Sequence, residues 1–88
     1  MVPRIMSTDD ALRFISGCAD SGVAVVYLDG FHVEGDRYRE DHDLMFTADE
    51  DCAPVEAASA AMQFIHENER PDVVWEVWSA DMKTPPSA

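Results

Sequence analysis

Val23-Ala24-Val25-Val26-Tyr27-Leu28-Asp29-Gly30-Phe31-His32-Val33-Glu34 is the stretch whose reading decides the fold of this 88-residue chain. Its first six residues are a continuous apolar run rich in β-branched side chains, which predicts a central strand buried on both faces. Asp29-Gly30 is a strong two-residue hairpin signal, because both residue types tolerate the left-handed backbone of a tight turn. On that reading Phe31-His32-Val33-Glu34 returns as a second strand. Gly35-Asp36 offers another turn, and the alternative is one long bulged strand over 23–34 with a single hairpin at Gly35. The residues leave both readings open.

Upstream, Ser7-Thr8-Asp9-Asp10 opens a helix expected over 8–20. Ser7 or Thr8 can cap it, and the aspartates suit the positive end of its dipole. Ala11, Leu12, Ile15, Cys18 and Ala19 recur at helical spacing, with Phe14 beside them, and Gly22 is placed to end the helix in a left-handed conformation. Downstream, 37–47 reads as a strand. Alternation puts Tyr38, Glu40, His42, Leu44 and Phe46 on a core face, and Arg37, Arg39, Asp41, Asp43, Met45 and Thr47 on a solvated one. Asp51 is the expected cap of a second helix with Pro54 in its first turn. Val55, Ala58, Met62 and Ile65 form its apolar stripe, with Ala61 and Phe64 beside it, and Pro71 stops it. Val73-Val74-Trp75-Glu76-Val77-Trp78 is the last strand, with Val73, Trp75 and Val77 on one face.

Helix, two or three strands, helix, strand is the order of a small α+β domain. It predicts an antiparallel sheet of three to four strands with both helices packed on one face. The other face is left open, and Met45 and Trp78 are the large residues expected there. One domain covers 1–88, with 1–6 as an N-terminal segment and 80–88 as a tail. Cys18 and Cys52 are too few for a disulfide scaffold and read as small reduced core residues. No stretch approaches the ~20 apolar residues of a membrane span. Met1-Val2-Pro3-Arg4 leads into no export signal, so a cytoplasmic protein is expected.

Chemistry is sparse. His32, His42 and His66 are scattered, and neither cysteine has a histidine base in its motif. The four glycines serve turns, and no Gly-rich phosphate loop is present. Glu40-Asp41-His42-Asp43 with His32 offers metal ligands, but it matches neither the calcium loop nor a zinc spacing. The expectation is no enzyme, no cofactor and no metal.

Charge is abundant. Eighteen Asp and Glu face six Lys and Arg, a net of −12. A compact chain of this length is roughly 30 Å across, and duplex DNA carries roughly 18 charges over that length. The protein thus carries about two-thirds of the charge of an equal length of duplex. Such a field repels nucleic acid and anionic membranes, and attracts basic protein surfaces. The density peaks between 34 and 51. Glu34, Asp36, Glu40, Asp41, Asp43, Asp49, Glu50 and Asp51 stand there against Arg37 and Arg39, a net of −6 in 18 residues. Carboxylates on a turn, a strand and a helix start can line one edge and meet the Lys and Arg that otherwise hold phosphates. Met45 and Trp78 would add apolar anchoring.

In size, charge and element order, and in the block Glu34-Gly35-Asp36-Arg37-Tyr38-Arg39-Glu40-Asp41-His42-Asp43 followed by Asp49-Glu50-Asp51, the chain resembles the small phage-encoded anti-CRISPR proteins. It is similar, more broadly, to DNA-mimicking inhibitors of nucleases. The resemblance implies an inhibitor, monomeric or weakly dimeric, acting in the host cytoplasm. It would occlude the basic nucleic-acid-binding surface of a CRISPR effector complex or nuclease and bind no nucleic acid itself. Two other readings fit the same charge: an immunity-type protein that neutralises a basic toxin nuclease, and an acidic housekeeping domain of a high-salt organism.

Overall fold

Ser7 starts the first helix. Its side chain accepts a hydrogen bond from the Asp10 amide at 3.2 Å, satisfying one of the donors that a helix start leaves without intrahelical partners. The structure is a computed structural model describing residues 5–49 and 51–80. In it this helix, α1, runs over Thr8–Asp20, as the spacing predicts. Gly22 closes it with φ +71°. The Val23 amide donates to the Cys18 carbonyl (2.8 Å) and the Gly22 amide to that of Ala19 (3.2 Å), the paired bonds of a Schellman motif.

The stretch that opened the question is a single strand. β2 covers Val25–Glu34, and the hairpin falls at Gly35, with φ +65°. Asp29-Gly30 is not a turn: it lies mid-strand, and Gly30 is a point of close packing in the sheet. A Cβ there would stand 2.6 Å from Leu44 Cβ and 2.9 Å from the Trp75 ring. Glycine at this position serves side-chain clearance, a use that a turn motif hides.

β3 (Arg37–Thr47) returns antiparallel to β2. Asp29 pairs with Met45 and Phe31 with Glu40, so four residues, 41–44, stand opposite Gly30 alone. This large bulge corrects the expected face assignment. Strict alternation groups Tyr38 and Glu40 with Leu44 and Phe46, but the extra residues break the phase. Leu44 and Phe46 face the core. Tyr38 and Glu40 share the opposite face with Met45, and Tyr38 is exposed. His42 points into solvent.

The second helix, α2, spans Pro54–Asn68. Pro54 sits in its first turn as expected. The N-cap is Ala53 and no side chain caps the helix, so Asp51 does not have the role its position suggested. Its buried line is Ala57, Ala58, Ala61 and Ile65, whereas Val55 is exposed. The small alanines bring the helix close to its neighbours, and the contact line turns away from Val55. Cys18 is buried, but Cys52 is only half-buried and lies outside the core.

β4 (Val73–Ser79) follows, and the N-terminal segment contributes a short strand that the sequence reading missed, β1 (Ile5–Met6). The sheet order is β1-β4-β2-β3, antiparallel throughout. Each helix therefore joins two parallel strands that flank a third: β1 and β2 flank β4, and β3 and β4 flank β2. Val73, Trp75 and Val77 face the helices, as expected, and cluster with Val25, Leu28, Leu44, Ile15 and Ile65. Trp75 is fully buried. Its ring meets Phe64 edge-on at 6.2 Å, and its indole N–H donates to Thr8 Oγ1 at 3.0 Å, the partner a buried indole requires.

β2 is central in the sheet but covered on one side only. Val25 and Leu28 are buried while Val26 is exposed. An extra residue at Val26 in the pairing with β4 keeps Val25 and Leu28 on the same side. The expectation of burial on both faces thus gives way to an open face. Among the described residues no helix is long and apolar enough to cross a membrane. The tail from 81 onward, residues 1–4 and Glu50 lie outside the described residues.

The close approach at Gly30 is directly testable. Gly30→Ala pushes a Cβ into the Cβ of Leu44, which can yield only by moving the β3 backbone, so urea denaturation should show a loss of about 1–3 kcal/mol. A midpoint equal to the parent's would contradict this packing.

Candidate functional site

Among the described acids of residues 34–51, Glu40, Asp41 and Asp43 lie on β3, an edge strand of the sheet, Glu34 ends β2, and Asp36, Asp49 and Asp51 lie in the turn and loop that flank β3. They are not equivalent. Glu34 accepts from Arg39 Nε at 2.8 Å. Asp36 is exposed in the β2–β3 turn, Asp43 is exposed on the bulge, and Asp49 and Asp51 are exposed in the loop before α2. Glu40 turns onto the open sheet face opposite Phe31. Asp41 is taken up by a contact inside the protein. One of its oxygens receives His32 Nε2 at 2.7 Å and the other the Asp43 amide at 2.9 Å. The structure thus spreads Asp36, Asp43, Asp49 and Asp51 along one exposed edge and directs Glu34, Glu40 and Asp41 elsewhere.

The other ring nitrogen of His32, Nδ1, meets Asp72 Oδ2 at 2.9 Å. A neutral imidazole has only one N–H, so two carboxylates, one on each nitrogen, hold His32 as imidazolium. The Asp41 bond and then the Asp72 bond raise its pKa above the ordinary 6.5. The His32 bond lowers both carboxyl groups below their ordinary 3.8. The clamp ties the β3 bulge to the α2–β4 loop, where the Val33 amide also donates to the Asp72 carbonyl at 2.7 Å. The sequence places His32 among three scattered histidines, and the clamp is not legible there because its partners are 9 and 40 residues away.

The open face is the second feature. β2 contributes Tyr27, Asp29 and Phe31, and β4 contributes Val74, Glu76 and Trp78. β3 adds Tyr38, Glu40 and Met45. Met45 is 38% exposed. Trp78 is half-buried, and its indole nitrogen is buried without a hydrogen-bond partner. Both expected anchors therefore lie on this face. Asp29 is its unusual member: the residue is 6% exposed, and its Oδ1 has no partner. Glu76 stands directly across from it on β4. Burial, and then the charges of Glu40 and Glu76, push the Asp29 pKa up, while a hydrogen bond from Tyr27 opposes the rise. Burial and the Asp29 charge push the Tyr27 phenol up to about 12, so it remains a donor. The turn-like dipeptide Asp29-Gly30 concealed this carboxylate from sequence reading. Among the described residues no cluster of His, Cys, Asp and Glu is arranged to hold a metal ion.

The clamp and Asp29 each make stability depend on pH. For His32 the folded pKa is raised, so its contribution is complete below 6.5 and is lost as pH rises through the higher folded value. Asp41 and Asp72 are depressed, so theirs is present above 3.8 and lost as pH falls. The clamp therefore works best between about pH 4 and 6.5. Urea unfolding of the parent should weaken from pH 6 to pH 9, and His32→Gln should remove most of that decline. A His32 NMR titration at or below 6.5 would rule the clamp out. For Asp29 the folded pKa is raised, so ionisation costs stability as pH climbs above 3.8. Asp29→Asn, which keeps an acceptor for Tyr27, should leave the protein at least as stable as the parent at pH 7. A large loss there would mean that the charge is compensated by a group not on this face.

No protein-family model matches the chain, and no curated protein matches it in sequence.

Proposed function

We propose that this protein is an acidic inhibitor that occludes the basic nucleic-acid-binding surface of a nuclease or RNA-guided surveillance complex, with carboxylates standing in for phosphates, as in the anti-CRISPR proteins it resembles. The observation that carries this reading is the net charge of −12 together with its placement. Asp36, Asp43, Asp49 and Asp51 are exposed along one edge and make no ion pair among the described residues. An edge strand needs a few charges to discourage pairing with other chains, but that requirement does not extend to the flanking turn and loop. The partner is a protein whose Lys and Arg are spaced to hold a polyanion, met in the cytoplasm where such complexes work. Long-range attraction guides the encounter, so the charge acts chiefly on association rate, and each exposed carboxylate contributes little singly.

The test is an affinity pull-down with the intact chain from nuclease-treated lysate, followed by association kinetics on the captured complex. A nucleic-acid-processing complex should be recovered at about 0.1 M salt and released near 0.5 M. Joint replacement of Asp36, Asp43, Asp49 and Asp51 by Asn should slow association about tenfold or more, with each single change near neutral. Recovery of no basic protein from a lysate known to contain such complexes would favour the high-salt housekeeping reading. Unfolding of the chain at low salt would point the same way.

A further inference from the structure

The open sheet face carries a negative site of a different kind from the exposed edge. Three carboxylates, Asp29, Glu40 and Glu76, share it. Asp29 pairs across the strands with Glu76, and Glu40 lies one position along, opposite Phe31. Aromatic rings surround them: Tyr27 and Phe31 flank Asp29 on β2, and Trp78 pairs with Tyr27 from β4. Among the described residues no Lys or Arg occupies this face. The charges that act on Asp29 from neighbouring elements are Glu40 and His42 of β3 and Glu76 of β4. His42 is exposed. A folded protein rarely keeps a nearly buried carboxylate against two like charges without a cation, and rarely leaves its oxygen without a donor. Here Asp29 is 6% exposed and Oδ1 has no partner.

We propose that this face receives an arginine side chain from a basic protein partner, its guanidinium seated among Asp29, Glu40 and Glu76 and stacked against the Tyr27 and Trp78 rings. The occupant follows from the chemistry. The unpartnered Oδ1 asks for an N–H donor, which excludes a quaternary ammonium. Three carboxylates spread over adjacent strands suit a planar group with five donors better than a compact ammonium. Aromatic faces favour the weakly hydrated guanidinium over the strongly hydrated lysine head. A second copy of this chain is disfavoured, because it would bring −12 against −12. This inference rests on the reading that the partner is a basic protein. It adds that the sheet face supplies the specific contact, whereas the edge supplies attraction.

The probes are nona-arginine and nona-lysine peptides, titrated into the intact chain at about 0.15 M salt and followed by amide and indole NMR. Nona-arginine should shift the Trp78 indole N–H and the amides around Asp29 and Glu76, and should bind more tightly than nona-lysine. Glu76→Gln, on the half-buried rim of the site, should weaken nona-arginine about tenfold or more, as loss of a charge-assisted hydrogen bond does, while Asp43→Asn changes it little. The amide spectrum of each variant shows whether the fold is intact, and Glu40→Gln replaces Glu76→Gln if that variant is misfolded. Equal affinity for the two peptides would overturn the site. So would shifts confined to 34–43 and 49–51, or equal effects of E76Q and D43N. If the pull-down still recovers a basic complex in that case, the inhibitor reading stands without this site. If the peptide result holds but no complex is captured, the site stands and the inhibitor reading falls.

Discussion

The packing of Trp75 and Leu44 over Gly30 is the constraint on which the rest of the structure depends. A Cβ on residue 30 would lie within 3 Å of both side chains, so they can meet only because that carbon is missing. Their contact joins the three main strands at one point: Gly30 from β2, Leu44 from β3 and Trp75 from β4. It also fixes the depth at which the indole sits, which brings its N–H to Thr8 at the start of α1 and its ring to Phe64 of α2. One glycine thus sets the distance between the sheet and both helices. Because packed interiors have little free volume, that distance has little slack.

The same contact accounts for the bulge in β3. For Leu44 to reach over Gly30 while Glu40 pairs with Phe31, residues 41–44 must occupy the length of one partner residue. The surplus backbone loops outward, and the Asp43 amide closes it on Asp41, a local turn of the kind aspartate favours. The free end of Asp41 then reaches His32, which Asp72 holds from the other side. Packing at the centre of the sheet therefore places a titratable clamp at its margin.

What the sequence reveals and what it conceals divide along the same line. Local signals are reliable here. Ser7, Gly22 and the stripe of Ala11, Ile15 and Cys18 mark α1 to the residue, and alternation in Val73–Trp78 assigns both faces of β4. The α+β class and the antiparallel sheet follow from element order. Most of the misreadings are places where a long-range contact overrides a local preference. Asp29-Gly30 has the chemistry of a turn, but its glycine answers to Trp75, 45 positions away in the chain. Alternation fails in β3 because it assumes one residue per partner. Val55 follows the helical period, but the four-alanine contact line turns α2 away from it. The two-residue β1 is too short to carry any pattern. In the candidate site the exposed acids and the open-face residues Met45 and Trp78 are legible as a list. The inward turn of Asp41, and the acid group around Asp29, depended on the bulge and so were hidden.

The bulge also decides which charges lie on the open face and which on the edge. Without it, strict alternation from Met45 would place Asp41 and Asp43 on the open face and send Glu40 to the helix side. The protein would then hold two acids against Phe31 and Val33, and His32 would lose its carboxylate on β3. With it, the open face receives Glu40 alone from that segment, Asp41 becomes structural, and Asp43 goes to the solvated edge. Twelve units of net negative charge on a small domain are tolerable because most are solvated and well separated, where salt screens them. Asp29 is the exception, and it lies next to the residue on which the packing turns. Gly30 must face inward against Trp75, and by strand alternation its neighbour must then face outward. A carboxylate is nevertheless kept there among aromatic rings, with Glu76 opposite. The fold explains the position of that side chain but not its charge, and the proposed partner arginine would supply the missing reason.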